Sequence, residues 1–147
     1  MKSNTNLIII DSNFILLPFQ FKIDYFDEIR FNIEGKLKFI IFQQIFNELE
    51  SKKEKEQKTS SFIRFLESGL AYLENNKDKY NIEILEDIKK EDESTDDFLL
   101  RRLQNMKNQY QFIYLATNDS ALRKKAKEIC VGTIFLRQKK YLCIDRA

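Results

Sequence analysis

Leu7-Ile8-Ile9-Ile10-Asp11-Ser12-Asn13 is the stretch whose reading decides the fold. Four unbroken aliphatic residues suit a strand buried on both faces, and such strands belong to parallel sheets covered by helices. A carboxylate directly after the run stands just beyond the carboxyl end of the strand, the edge at which open α/β sheets bind ligands. An unpaired charge there is costly, and a metal ion or hydrogen-bond partners would offset the cost. Ser12 and Asn13 add short polar side chains able to bond neighbouring carboxylates or backbone and to hold their geometry.

The same pattern recurs at residues 112–116, followed by Thr117-Asn118-Asp119. Further apolar runs at 37–41, 80–85 and 133–136 have strand length, and 141–144 reads as a short edge. Between them apolar residues recur at three- or four-residue spacing, as in Phe62, Phe65, Leu66, Leu70 and Leu73, or Leu99, Leu103, Met106 and Tyr110. This alternation predicts an α/β fold of three layers, α/β/α, with a central parallel sheet of about five strands flanked by helices. With 147 residues and no Pro/Gly-rich break, residues 1–147 read as a single domain. The polar stretch 51–59 reads as surface, and the acidic stretch 86–93 as a mobile loop.

Composition narrows the function. Two cysteines cannot build a disulfide framework, and the absence of histidine excludes the usual zinc spacings, a Ser-His-Asp triad and paired-histidine RNA cleavage. No run approaches the length of a membrane span and no leader pattern opens the chain, so a cytoplasmic protein without membrane contact is expected. Residues 1–119 carry 17 Lys/Arg against 21 Asp/Glu, whereas residues 120–147 carry 8 against 2. A basic end beside an acidic body suits a polyanion arriving from one side. Arg123, Lys124, Lys125, Lys127, Arg137, Lys139 and Lys140 are its expected phosphate contacts; Arg123 and Lys127, four apart, share a helix face.

Four acidic signals fall at strand and helix ends: Asp11, Glu48 within Asn47-Glu48-Leu49-Glu50, Asp96-Asp97, and Asp119. Each has an ordinary reading as a helix cap, dipole partner or solvated charge. Glu48 follows Ile45 by three residues and so lies near the buried stripe, whereas Glu50 falls on the solvent side. Together such carboxylates suit a hard divalent cation, Mg²⁺ or Mn²⁺, which takes oxygen ligands and keeps several waters.

With these positions in order, the chain resembles the PIN-domain family of metal-dependent nucleases over nearly its whole length. The segment at 16–21 and the ending at 136–142 resemble an archaeal branch of that family similar to the nuclease of the small-subunit processome. The resemblance implies that Asp11, Glu48, Asp97 and Asp119 are catalytic and bind one or two Mg²⁺ or Mn²⁺ ions, with Asp96 either the ligand in place of Asp97 or a supporting acid. Ser12, Asn13, Thr117 and Asn118 would orient the ligands or the attacking water. The implied activity is hydrolysis of RNA phosphodiester bonds by metal-activated water, leaving 5′-phosphate and 3′-hydroxyl ends, in processing of precursor rRNA or other RNA. A ribosome-assembly factor and a second copy of the chain are the partners that go with that role. The alternatives are a toxin ribonuclease restrained by an antitoxin, and a catalytically silent RNA-binding assembly module.

Overall fold

The aliphatic run at 7–10 lies in β1 (Ser3–Ile10), inside a six-stranded sheet, and all four of its side chains are fully buried. The computed structural model describes residues 3–55 and 60–147. After β1 come α1 (Ser12–Ile15), α2 (Leu17–Gln20), α3 (Tyr25–Asn32), β2 (Lys36–Phe42), α4 (Gln43–Lys55) and α5 (Ser60–Asn76). The chain continues through β3 (Ile82–Leu85), α6 (Thr95–Met106), β4 (Tyr110–Ala116), α7 (Ser120–Glu128), β5 (Gly132–Arg137) and β6 (Tyr141–Asp145).

The strands lie in the order β3-β2-β1-β4-β5-β6. The first five are parallel, with Ile8 of β1 opposite Phe39 of β2 and Tyr114 of β4. The chain winds outward in one direction from β1 to β3 and in the other from β4 to β5. The reversal therefore falls between β1 and β4, and at such a point the connections leave in opposite directions and open a crevice at the carboxyl edge. Asp11 and Asp119 follow these two strands.

Period-two alternation assigns the helical layers. Phe39 and Phe42 are three apart on β2 and so point to opposite faces. Phe39 meets Phe26 of α3 edge-on at 4.7 Å between centroids, and Phe42 meets Phe98 of α6 at 5.2 Å. Helices thus cover both faces, the expected three-layer arrangement. On the α3 side, Tyr72 of α5 stacks on Phe26, and its hydroxyl donates to Asp24.

Several expectations are corrected. The five parallel strands and the edge at 141–144 are as expected, and that edge, β6, runs antiparallel to β5, because the three residues 138–140 between them can only reverse the chain. Gln138 and Lys139 both take positive φ to make that reversal. β3 begins at Ile82 instead of 80; Tyr80 packs on Phe26 and Phe39 and donates its hydroxyl to Asp27. Helices α1 and α2 carry too few turns to show a period, and Pro18 in the first turn is the local signal for α2. The polar stretch 51–59 continues α4 as far as Lys55, and its part at 56–59 lies outside the described residues.

The stretch 86–93, expected as a mobile loop, has little regular structure yet is fastened at three points. Arg101 grips Glu93 in a fork at 2.9 and 3.0 Å and holds that carboxyl down to about 2, Arg102 lies 3.4 Å from Asp87, and the amide of Lys89 donates to Gln44 Oε1 at 3.1 Å. Like charges that would keep the loop open are matched by arginines of α6. Among the described residues, no helix is long and apolar enough to cross a membrane.

Candidate active site at the sheet edge

Asp11 is only 5% exposed, and the chain around it is organised to hold its carboxylate. Oδ1 accepts from the Ser12 amide at 2.8 Å. Oδ2 accepts from the Thr117 hydroxyl at 2.7 Å and from Asn13 Nδ2 at 3.2 Å. Thr117, fully buried at the end of β4, also accepts from Asn13 Nδ2 and from the Asp119 amide, each at 3.1 Å. The Asn118 amide donates to Asn13 Oδ1 at 2.9 Å, and Asn118 Oδ1 accepts from Leu136 of β5 at 2.8 Å. The crevice between β1 and β4 is therefore closed by a network formed from the two motifs picked out in the sequence, which lie more than a hundred residues apart.

Burial pushes the Asp11 carboxyl above its ordinary value; the Thr117 and Ser12 bonds pull it down, and the charges of Asp96 and Asp119 push it up again. Glu48 is raised by desolvation and then by Asp11 and Asp96, with Lys52 opposing. As a residue Glu48 keeps one flank in solvent, but its carboxyl lies among protein atoms that desolvate it. Desolvation also raises Asp96, followed by Asp119, with Lys125 opposing and Asp97 adding to the rise. Asp11, Glu48, Asp96 and Asp119 thus share one electrostatic environment.

Of the adjacent pair, Asp96 faces that cluster. It lies three residues before Leu99 and seven before Leu103, on the buried stripe of α6, whereas Asp97 is exposed and its amide is capped by Ser94. Glu50 is exposed, away from the cluster. Asp119 caps α7, accepting from the Leu122 amide at 3.1 Å.

The basic residues are placed less uniformly. Lys124, Lys125, Arg137, Lys139 and Lys140 are exposed, and Lys125 acts electrostatically on Asp96. Lys127 pairs with Asp145 at 3.0 Å, and Arg123 donates to Asn118 O at 3.1 Å while lying over the Phe135 ring. Of the two residues expected to share a helix face, Arg123 is thus engaged within the protein, while Lys127 stays exposed and pairs with Asp145 at the surface. A concavity of about 1000 Å³ between α3 and the β5–β6 turn contains none of the four acids. The candidate site is at the sheet edge and not in that concavity.

Gln44 was not picked out in the sequence. It is buried one turn before Glu48, holds the Lys89 amide, and reaches Thr95 Oγ1, beside Asp96, at 3.5 Å. A polar residue next to Ile45 and one turn before Glu48, beside the buried stripe of Ile45 and Leu49, was the available signal.

Among the described residues, no three carboxylates stand close enough to hold one cation between them as arranged. The donor chemistry nevertheless fits a hard divalent ion. Glu48 and Asp96 have no hydrogen bond or ion pair among the described residues, both are raised by like charges, and every candidate ligand atom is a carboxylate oxygen. Mg²⁺ needs only one or two carboxylates and keeps several waters, so a loosely gathered set is no obstacle.

A doubly covered parallel sheet with acids gathered at its switch point defines a class of α/β domain built to engage ligands at one edge. The chain belongs to the PIN-like domain family, whose model, described as "PIN like domain", matches residues 8–139. Among solved structures it is similar to that described as the PIN domain endonuclease Utp24. The two are 24% identical, with 96% of this chain and 92% of that chain covered and a TM-score of 0.66, a likeness of fold. Comparison with curated proteins gives no match.

Proposed function

We propose that the chain is an endoribonuclease dependent on Mg²⁺ or Mn²⁺, with a role in processing rRNA or another RNA. The observation that carries this reading is the gathering of Asp11, Glu48, Asp96 and Asp119 at the switch point, each of the first three raised by burial and by like charges. Evolution rarely leaves such repulsion standing at a sheet edge unless a cation answers it.

In this reading the carboxylates of Asp11, Glu48, Asp96 and Asp119 share the holding of one or two cations, each ion taking one or two of them directly and the rest through its waters, and Asp97 acts only through Asp96. When bound, the cation supplies a water acidified toward neutral pH and offsets charge on the scissile phosphate. Thr117, Ser12 and Asn13 fix the Asp11 oxygens by donating to them, and the Thr117 and Ser12 bonds favour the ionised form against the effect of burial. Asp119 commits Oδ1 to the α7 amide and presents its other oxygen. Lys124, Lys125, Arg137, Lys139 and Lys140 attract the phosphate backbone, which gives affinity without sequence choice. The products would be 5′-phosphate and 3′-hydroxyl ends.

Incubation of structured RNA, single-stranded RNA and single-stranded DNA with Mg²⁺ or Mn²⁺ tests the reading. Cleavage of RNA is expected in the wild type, and none with chelator or in Asp11→Asn and Asp119→Asn, which should still fold and bind RNA. Cleavage that survives chelator and both substitutions would show the acids to be bystanders.

A further inference from the structure

We infer that Arg123 is a positioning residue that locks the Thr117-Asn118-Asp119 turn, and through it Asp119, in place for phosphodiester cleavage; this rests on the nuclease reading above. Its guanidinium carbon lies 4.0 Å from the centroid of the Phe135 ring, and one of its nitrogens donates to Asn118 O at 3.1 Å. Asn118 is the middle residue of the turn. Its amide is bonded to Asn13 and its side-chain oxygen to the Leu136 amide, so the Arg123 bond is the third of three. Together they tie the turn to α1, to β5 and to α7. Asp119 follows at once, its amide held by Thr117 and one oxygen spent on the helix cap. Slackening at Asn118 is thereby passed to the Asp119 carboxylate through a single peptide unit.

A cation at this place needs a reason. Arg123 is the fourth residue of α7, at the end of the helix where the macrodipole disfavours positive charge. An aromatic face and a carbonyl oxygen offset that penalty, and the planar guanidinium engages both at once. A lysine carries the same charge but can neither stack flat nor hold a fixed fork. The neighbouring Lys124 and Lys125 are exposed, so charge for phosphate contact is already supplied beside it.

The test compares Arg123→Lys and Phe135→Leu with the wild-type chain. In both, kcat for RNA cleavage with Mn²⁺ should fall about tenfold or more, since misplacement on the order of 1 Å costs up to about a hundredfold. KM, RNA affinity in chelator and the salt dependence of that affinity should hold. A phosphate contact would behave otherwise: Arg123→Lys would cleave like wild type, and Arg123→Ala would raise KM and lower the salt slope by about one. That pattern overturns the inference.

Amide hydrogen exchange on the metal-free proteins reads the same point without catalysis. Exchange at Asn118, Asp119 and Leu136 should quicken in both variants while β1 keeps its protection; unaltered exchange at those three amides overturns the inference. A wild-type chain that cuts no RNA overturns the nuclease reading instead, and the exchange rates then decide on Arg123 alone.

Discussion

Replacing Thr117 with valine isolates the hydroxyl at the centre of the site. The side chain is fully buried and valine has nearly its shape, so packing is kept while the hydroxyl goes. The lost bond to Asp11 Oδ2, 2.7 Å long and made to a charged acceptor, contributes about 2 kcal/mol. The Asp119 amide loses its acceptor, which adds about 1–2 kcal/mol for a partly buried donor, whereas Asn13 Nδ2 keeps Asp11 as a partner. The total is about 3–4 kcal/mol, or a fall of about 1.5–2 M in the urea midpoint at a slope of about 2 kcal/mol/M. Thr117→Ser, which keeps the hydroxyl and loses one methyl, should cost only about 1 kcal/mol. Urea unfolding followed by circular dichroism, without metal, compares the three proteins. The Thr117 bond is also the strongest influence lowering the Asp11 carboxyl, so the valine variant should show the acid limb of its cleavage profile moved to higher pH. If valine proves no more destabilising than serine, the hydroxyl does not hold the site.

The other predictions follow from the same edge and from the packing behind it. Asp96→Asn should abolish cleavage and weaken Mn²⁺ binding measured by titration calorimetry, whereas Asp97→Asn should keep both and lose under about 1 kcal/mol of stability at the helix start; equal losses would sink the distinction. Asp11, Glu48 and Asp96 are raised above their ordinary values of 3.8, 4.5 and 3.8, so across the window from those values to the raised ones the folded chain holds protons the unfolded chain has lost. Their contribution to stability therefore falls as pH rises through that window, opposite to Glu93, whose contribution is lost as pH drops toward about 2. Thermal unfolding should accordingly show a larger Mg²⁺ stabilisation at pH 7 than at pH 5, and a smaller one in Glu48→Gln; a Mg²⁺ effect independent of pH would count against a shared cation. Gly69 of α5 lies against the end of α1, where an added Cβ would stand 1.8 Å from Ile15 O. Gly69→Ala should cost about 3 kcal/mol in urea unfolding, and a neutral result would mean the two helices are not in that contact.

What the sequence disclosed and what it withheld divide along the range of the interactions concerned. The runs at 7–10 and 112–116 were legible because a strand buried on both faces must be continuously apolar, and that requirement is local. The short helices α1 and α2 left no period to read, and the direction of β6 depended on a three-residue reversal at which Gln138 and Lys139 accept positive φ without glycine. Asp96 could have been preferred over Asp97, since only Asp96 extends the stripe of Leu99, Leu103 and Met106 upward to the sheet edge. The role of Arg123 could not. Its meaning depends on Phe135, which comes beside α7 only because β5 pairs with β4, and on Leu136, whose amide reaches Asn118 across the same pairing.

The same division bears on how the site works. Local signals identify which residues can carry charge, and they brought forward Asp11, Glu48, Asp119 and the pair Asp96-Asp97 without choosing within the pair. Whether a charge is spent inside the protein or left for a substrate is settled by tertiary neighbours, as two residues of one basic helix show. Lys125 is exposed and acts electrostatically on Asp96, while Arg123, two positions earlier, lies over Phe135 and is bonded to Asn118, the residue before Asp119. A helix counted from its sequence as a rail for phosphates thus divides within one turn: Arg123 is bonded to the backbone beside Asp119, and Lys124 and Lys125 are left exposed for the polyanion that the proposed function requires.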